Sequence, residues 1–227
     1  MRRVRPRRLI CSSGPTDRPY VSLTFDDGPS PFTKPILDVL AEHGVGASFF
    51  VMGAALADET KPLVEAAHAA GHDVGNHTHH HFHLEECDEA TVREEIRRTH
   101  GDLVEILGDP PVFVRPPYGT DLDRVDEIVT ELGYRATVYW SIDPRDWEQP
   151  QPSARTIVDR VLADERLAAG AIVLMHDGVS PNQPDESRAE TVEAVRLLIP
   201  ALRERGLEPV TLSRLLSGRA RPSSQPP

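Results

Sequence analysis

The chain has 227 residues, with 25 Lys and Arg against 36 Asp and Glu, which gives a formal net charge of −11 at pH 7. The length fits a single domain of the size of an α/β barrel, and the 39% of hydrophobic residues indicate a globular protein rather than a disordered or fibrous chain. The acidic balance argues against nucleic-acid binding. The only two cysteines, Cys11 and Cys87, argue against a disulfide-stapled or thiolate-zinc fold.

The first 20 residues are basic, with six arginines against one aspartate. This start resembles the first part of an export signal, but the apolar stretch of about 7–15 residues that should follow is missing. The longest largely apolar run, residues 44–57, is too short to cross a membrane, so we predict no transmembrane span. We expect residues 1–19 to be a poorly ordered basic segment, residues 20–217 to form one domain, and residues 218–227 to be a disordered tail.

Short apolar segments alternate with helical patterns along this domain, which predicts seven β/α pairs. The strand candidates are Tyr20–Phe25, Ala47–Met52, Asp73–Gly75, Val112–Val114, Ala136–Ile142, Ala171–Met175 and Pro209–Leu212. The helical patterns include Pro35–Glu42, Lys61–Ala70, Glu89–Leu107 and Ser187–Arg205. Gly44, Gly71, Gly133 and Gly206 each close a helix ahead of a strand. Repeated β/α units predict a parallel sheet, and seven or eight of them predict an α/β fold closed into a distorted (β/α)7–8 barrel.

Polar residues with catalytic potential follow five of the predicted strands. They are Asp26 and Asp27, His77, Arg115, Asp143 and Asp146, and His176. Because the carboxyl ends of parallel strands open on one face of a barrel, the sequence predicts that these residues share one site.

Five of the ten histidines fall within residues 77–83. The pairs His77/His81 and His79/His83 both have i, i+4 spacing, so either pair would share a face of a helical turn and could chelate a divalent ion. Spacing leaves the choice between the pairs open. Two imidazoles with one carboxylate would suit Zn²⁺ or a similar first-row ion such as Co²⁺.

The other candidates each have a simpler structural interpretation. Asp26 and Asp27 could form a polar turn; as neighbours on a strand, they are expected to point to opposite sides. His176 could be a general acid or a core histidine, and Arg115 a carboxylate anchor or a surface arginine. Trp147 could stack on a sugar ring or belong to the core.

Together these segments resemble the polysaccharide deacetylases of carbohydrate esterase family 4, the NodB homology domain. Five motifs agree in order and approximate spacing over residues 20–216. They are Thr24–Pro29, His77–His81, Arg115–Gly119, Asp143–Trp147 and Leu174–His176.

The resemblance implies a NodB-like barrel and a role for each motif residue. It implies Asp27, His77 and His81 as metal ligands, Asp26 as the general base and His176 as the general acid. Arg115 would tether the base and Asp146 would orient the acid. Leu174 and Trp147 would line an acetyl pocket, while Tyr118, through its backbone N–H, and its neighbour Pro117 would contact the substrate.

The resulting expectation is a metal-dependent hydrolase that removes acetyl groups from N-acetylglucosamine-containing glycans such as chitin oligomers or peptidoglycan. The alternatives are O-deacetylation of acetylxylan, a small-molecule amidase of the same superfamily, and a non-catalytic protein that binds glycan or metal. The substrate class suggests an extracellular or cell-wall location, although the sequence shows no complete export signal. We expect a monomer.

Overall fold

Eight β-strands, all paired in parallel, form the central sheet of the computed structural model, which describes residues 10–179 and 187–217. The strands are β1 Ile10–Cys11, β2 Tyr20–Asp26, β3 Ser48–Val51, β4 Asp73–Asn76, β5 Phe113–Val114, β6 Ala136–Val138, β7 Ile172–His176 and β8 Glu208–Pro209. The helices are α1 Thr33–His43, α2 Lys61–Ala69, α3 Glu89–Leu107, α4 Asp123–Glu131, α5 Ala154–Ala163, α6 Ala189–Glu204 and α7 Leu212–Leu215.

The strand order is β1-β6-β5-β4-β3-β2-β7, and β8 pairs with β2. Beyond β6 the chain turns toward the far edge of the sheet, where Ile142 forms an isolated parallel bridge to Val173 of β7. The sheet therefore curls into the distorted (β/α) barrel that the sequence predicted. The carboxyl ends of β2, β4, β5 and β7 open on the same side of it.

The short strand β1 occupies the gap between β6 and β7. Ile10 and Cys11 pair with Thr137 and Val138 of β6, and Gly14 donates its backbone N–H to the carbonyl of Gly170, 2.7 Å away. Residues 10–19 therefore belong to the fold, which corrects the expectation of poor order for all of residues 1–19. Residues 1–9 and the expected tail at 218–227 lie outside the described residues.

Strand β2 shows how the sequence separates core from site. Val21, Leu23 and Phe25 are fully buried in the apolar cluster that includes side chains of α1 and α6. Fully burying each such side chain contributes about 1.5–3 kcal/mol. The alternate positions are polar and equally buried, ending at Asp26. Because strand side chains alternate between faces, this second row points into the barrel and delivers Asp26 to its open end.

The structure changes two strand predictions. Strand β6 ends at Val138, so of the remaining predicted residues up to Ile142 only Ile142 forms a bridge. The segment predicted as a strand over Pro209–Leu212 leaves the sheet after Pro209, because the Thr211 side chain accepts the backbone N–H of Arg214 and caps α7.

The predicted helix ends are confirmed, since Gly44, Gly71, Gly133 and Gly206 all have positive φ. Within the described part of the chain, none of the helices is long and apolar enough to span a membrane.

Candidate active site

Arg115 anchors the floor of the site. It follows β5, is completely buried, and donates through one terminal nitrogen to Asp26 Oδ1 at 2.7 Å and to Thr24 Oγ1 at 2.9 Å. Its other nitrogens donate to the backbone carbonyls of Val138 and Tyr139, each at 3.2 Å. The alternative of a surface arginine is therefore wrong, because every nitrogen of this guanidinium is used to hold the interior of the barrel together.

Asp26 and Asp27 lie at the end of β2 and both approach the same imidazole. His77 Nε2 is 3.7 Å from Asp26 Oδ2 and 3.4 Å from Asp27 Oδ1. The expectation that the two carboxylates point to opposite sides is wrong. Asp27 leaves the strand with a left-handed φ of 71°, which breaks the alternation and turns its carboxylate back toward the site.

Asp27, His77 and His81 form a compact group of potential metal ligands, with one donor atom from each lying within 4.8 Å of the others. Asp27 Oδ1 is 3.4 Å from His77 Nε2 and 3.2 Å from His81 Nε2. Ligand atoms about 2.1 Å from a tetrahedral ion are separated by about 3.4 Å, so these spacings suit a metal such as zinc. Of the two candidate pairs, it is therefore His77 and His81 that lie together beside Asp27.

The histidine segment folds as a loop, not as the helical turn that i, i+4 spacing suggested. Positive φ values at Thr78 and His81 bend the backbone, and Asn76 Oδ1 accepts the N–H of Thr78 at 2.7 Å. The second candidate pair does not join the ligand group. His79 Nδ1 lies 4.0 Å from a carboxylate oxygen of Asp102, and the ring of His83 stacks on Tyr118.

Both ligand imidazoles turn Nε2 toward Asp27 and Nδ1 toward the loop that follows β5. His77 Nδ1 is 2.7 Å from the carbonyl oxygen of Arg115, which can only accept, so Nδ1 carries the proton and Nε2 has the free lone pair. His81 Nδ1 is 3.1 Å from the hydroxyl of Tyr118. Burial lowers the pKa of His77 and, despite attraction to Asp26, lowers the pKa of His81 to about 4. Both imidazoles are therefore neutral near pH 7, as metal binding requires.

The environment of Asp27 also fits a bound cation. Burial raises its pKa, although the charges of His176 and His77 act in the opposite direction. Its Oδ1 atom is buried and has no hydrogen bond among the described residues. A buried carboxylate oxygen without a partner is costly, and a divalent ion placed between Asp27 and the two imidazoles would remove that cost.

His176 ends β7, beside Asp26, its register partner on β2. The fully buried carboxylate of Asp146 accepts from His176 Nδ1 at 2.8 Å and from the His176 backbone N–H at 2.9 Å. Burial alone would lower the pKa of His176, but the charges of Asp146, Asp27 and Asp26 outweigh it and raise the pKa to about 9. Attraction to His176 likewise keeps the pKa of Asp146 low in spite of its burial.

The remaining predicted site residues differ in how exposed they are. Pro117 and Leu174 are buried, and Leu174 precedes His176 by two positions on β7, so both face the same side of the strand. Tyr118 and Trp147 are 45% and 38% exposed, so Trp147 is not a core residue. Its indole N–H points to Asp143 Oδ1 at 3.4 Å.

Two supporting residues come from helices and were missed by the sequence analysis. Thr191 of α6 donates its hydroxyl to Asp146 Oδ2 at 2.8 Å. Glu95 of α3, 4% exposed, accepts the backbone N–H groups of His79 and His80. A signal was present, because each polar residue lies on the buried stripe of its helix, where an apolar residue is the norm.

Comparison with known proteins identifies the family of this chain. A sequence profile described as polysaccharide deacetylase matches residues 13–137. A chitooligosaccharide deacetylase of Sinorhizobium fredii (strain NBRC 101917 / NGR234) is 43% identical over 205 residues, covering 88% of this chain and 92% of the relative. A peptidoglycan-N-acetylglucosamine deacetylase of Bacillus cereus is 37% identical over 88% of this chain and 69% of its own length.

Among solved structures, the crystal structure of the Bc1960 peptidoglycan N-acetylglucosamine deacetylase superimposes with a TM-score of 0.82. The two chains are 35% identical, and the match covers 92% of each. Sequence profile, relatives and fold thus agree on the family that the five motifs resemble. This chain belongs to the polysaccharide deacetylase family.

Proposed function

We propose that this protein is a divalent-metal-dependent deacetylase that hydrolyses the N-acetyl groups of N-acetylglucosamine-containing glycans, such as chitin oligomers or peptidoglycan. One observation carries the proposal. Asp26 and His176 are register partners at the ends of two adjacent strands, next to the Asp27, His77 and His81 group. A proton acceptor and a proton donor therefore flank a site suited to a cation, which is the arrangement that amide hydrolysis needs.

The chain's own residues account for the proton transfers. Asp26, held by Arg115, takes the proton from the attacking water while the new C–O bond forms at the acetyl carbon. His176, held by Asp146, gives its Nε2 proton to the amine nitrogen as the C–N bond breaks, so acetate and a free amine leave. The backbone N–H of Tyr118 would stabilise the developing oxyanion, and Leu174 and Trp147 with Pro117 would enclose the acetyl group.

Asp27, His77 and His81 would hold the ion, for which we propose Zn²⁺ because of the two neutral imidazoles and one carboxylate. When bound, such an ion polarises the carbonyl and makes water more acidic. The names of the relatives, chitooligosaccharide and peptidoglycan-N-acetylglucosamine deacetylase, support the N-acetyl glycan as substrate. Because such glycans are extracellular or part of the cell wall, we propose that the protein acts there.

The test is acetate release from chitin oligomers, peptidoglycan and acetylxylan. We expect release from at least one N-acetyl glycan, its loss on chelation, and its recovery when Zn²⁺ is returned. Asp26→Asn should reduce the rate by about 10²–10⁴ while retaining the metal. Asp38→Asn, an exposed carboxylate paired with Lys34, serves as the matched control. An undiminished rate in metal-loaded Asp26→Asn, or release from acetylxylan alone, would contradict the proposal.

The ligand assignment has its own matched pair of variants. His81→Ala should lose most of its bound zinc, whereas His79→Ala should keep it, because the imidazole of His79 is directed toward Asp102. Zinc content after gel filtration distinguishes the two. The opposite pattern would show that the second histidine pair holds the ion.

A further inference from the structure

The two proposed ligand histidines contact the same loop through Nδ1, but each meets a different kind of partner there. His77 Nδ1 meets the backbone carbonyl of Arg115 at 2.7 Å, and His81 Nδ1 meets the side-chain hydroxyl of Tyr118 at 3.1 Å. A carbonyl in a buried loop is fixed by the backbone. A hydroxyl at the end of a side chain that is 45% exposed can orient His81 only if its own ring is held in place.

The ring of Tyr118 contacts two histidines. His83 stacks on it face to face, with ring centroids 3.8 Å apart and an interplanar angle of 4°. The ring of His81 meets it at 66°, with centroids 4.6 Å apart. These contacts confine the rotation of the Tyr118 ring and keep its hydroxyl at His81 Nδ1.

His83 is in turn tied to the loop that carries Tyr118. Its Nδ1 atom is 3.4 Å from Glu85 Oε1, and Glu85 Oε2 accepts the hydroxyl of Thr120 at 2.8 Å. Thr120 stands two residues after Tyr118, and its carbonyl accepts the hydroxyl of Tyr139 at 3.0 Å. The contacts therefore form a closed circuit from Tyr118 through Thr120, Glu85 and His83 back to Tyr118.

We propose that Tyr118 and His83 act as a clamp that positions His81 for metal binding, which rests on the proposed function of the ligand group. In this clamp the Tyr118 hydroxyl accepts a hydrogen bond from the Nδ1–H of His81, so Nε2 is the unprotonated atom that faces Asp27. His83, which is not one of the proposed ligands, holds the tyrosine ring in place. Mutation of a residue that hydrogen-bonds a metal-binding side chain typically weakens metal affinity by about 10- to 100-fold.

The clamp also bears on the backbone of Tyr118. This residue has a left-handed φ of 58°, which is uncommon for a bulky side chain and persists only where its surroundings hold it. The N–H of Tyr118 is the proposed oxyanion donor. The same stacking contact therefore links the orientation of a metal ligand to the orientation of that N–H.

Four variants of the full chain test the clamp. Tyr118→Phe removes only the hydroxyl, His83→Ala removes the stacked ring, and His83→Phe restores a ring without Nδ1. Phe82→Ala is the matched control, because Phe82 is an exposed aromatic neighbour that stacks on His80 instead. The readouts are zinc dissociation constants from competition with a chromogenic chelator, the visible spectrum of the Co²⁺-substituted protein, and kcat at saturating zinc.

We expect Tyr118→Phe to weaken zinc binding by about 10- to 100-fold and to alter the Co²⁺ spectrum. His83→Ala should shift both in the same direction by a smaller factor, His83→Phe should recover most of the loss, and Phe82→Ala should match the wild type. Both His83 variants should lower kcat less than Tyr118→Phe does.

Unchanged zinc affinity and an unchanged Co²⁺ spectrum in Tyr118→Phe would overturn the proposal, as would equal losses in His83→Ala and Phe82→Ala. The metal measurements are independent of the reaction. If the wild-type protein bound zinc tightly but released no acetate, the proposed function would fail while the clamp could still be assessed.

Discussion

The histidines of the site belong to two arms: the proposed ligands His77 and His81 form one, and the proposed acid His176 forms the other. Near pH 7 the imidazoles of the first arm are neutral and that of the second is protonated. His77 and His81 on one arm and His176 on the other are all largely buried, yet burial lowers the pKa of His81 to about 4 while that of His176 rises to about 9. The difference lies in the partner of Nδ1. A carbonyl or hydroxyl orients the first arm without adding charge, whereas the carboxylate of Asp146 stabilises an imidazolium on the second.

The partner of Nδ1 therefore decides whether an imidazole is suited to bind a metal or to donate a proton. A neutral imidazole offers a lone pair to a metal, and a charged one offers a proton to a leaving group. Because each arm depends on few contacts, single substitutions can exchange or remove these properties.

The largest effect should come from making the imidazole of His176 neutral. Asp146→Asn keeps the shape of the side chain but removes the charge that stabilises the His176 imidazolium, so the pKa of His176 should fall. We expect kcat/KM for deacetylation to drop by about 10²–10⁴. Asp143→Asn, the same change at a neighbouring position, should cost much less. Similar losses in the two variants would mean that Asp146 has no special relation to His176.

A second substitution should raise the pKa of one of the proposed ligand histidines. Arg115→Met leaves Asp26 buried without its guanidinium, so the unbalanced carboxylate should raise the pKa of His77. Breaking a buried ion pair costs about 3–5 kcal/mol of unfolding free energy, measurable by urea denaturation of the metal-free protein.

The double variant Arg115→Met/Asp26→Asn controls for the lost packing of the arginine, because it removes the stranded charge as well. It should recover part of the stability lost in Arg115→Met. A double variant that was less stable still would show that the guanidinium acts through its contacts to Thr24, Val138 and Tyr139 rather than through the ion pair.

Direct titration tests the difference in pKa between the histidines of the two arms. In metal-free protein, NMR of the imidazole nitrogens should show His176 losing its proton near pH 9 and His81 gaining one only near pH 4. Added zinc should leave His77 and His81 without a titration in the neutral range. Observation of His81 titrating at the ordinary histidine value in the metal-free protein would remove the contrast between the arms.

The same shift predicts a pH dependence of stability. Since the folded pKa of His176 lies above its unfolded value near 6.5, its contribution is complete below pH 6.5 and is lost as the pH rises through 9. The size is on the order of 3 kcal/mol. The difference in unfolding free energy between wild type and Asp146→Asn should therefore be largest near pH 5–6 and shrink toward pH 9.5. A difference that grew with pH would contradict the ion pair.

The smallest effect should follow loss of the hydrogen bond that Thr191 donates to Asp146. Thr191→Val removes one hydrogen bond to Asp146 Oδ2 but leaves both contacts between Asp146 and His176. We expect a stability loss of about 1 kcal/mol and a severalfold lower kcat. Ser187→Ala, just ahead of the same helix, is a suitable comparison. A loss of kcat as large as that of Asp146→Asn would move Thr191 from a supporting to a central role.

Sequence alone predicted the parallel barrel, because the apolar strands and the glycines that end helices recur at regular intervals. It also placed Asp27, His77 and His81 at strand ends, and the motif resemblance chose between the two histidine pairs. It did not predict the left-handed turn at Asp27 or the loop over residues 77–83, since side-chain alternation and helical spacing assume regular backbone. Long-range partners such as Thr191, 45 residues after Asp146, leave only a polar residue on a buried helix stripe as their signal.

The short strand β1 has a practical consequence for anyone who shortens or tags this protein. A version beginning at Tyr20 would expose the outer edge of β6, and bare strand edges invite chains to pair with one another and aggregate. Because β1 runs parallel to its neighbour, Ile10 enters at the end of the barrel opposite the ligand group. An affinity tag or surface tether fused ahead of Ile10 would therefore leave the mouth open to a long polymer.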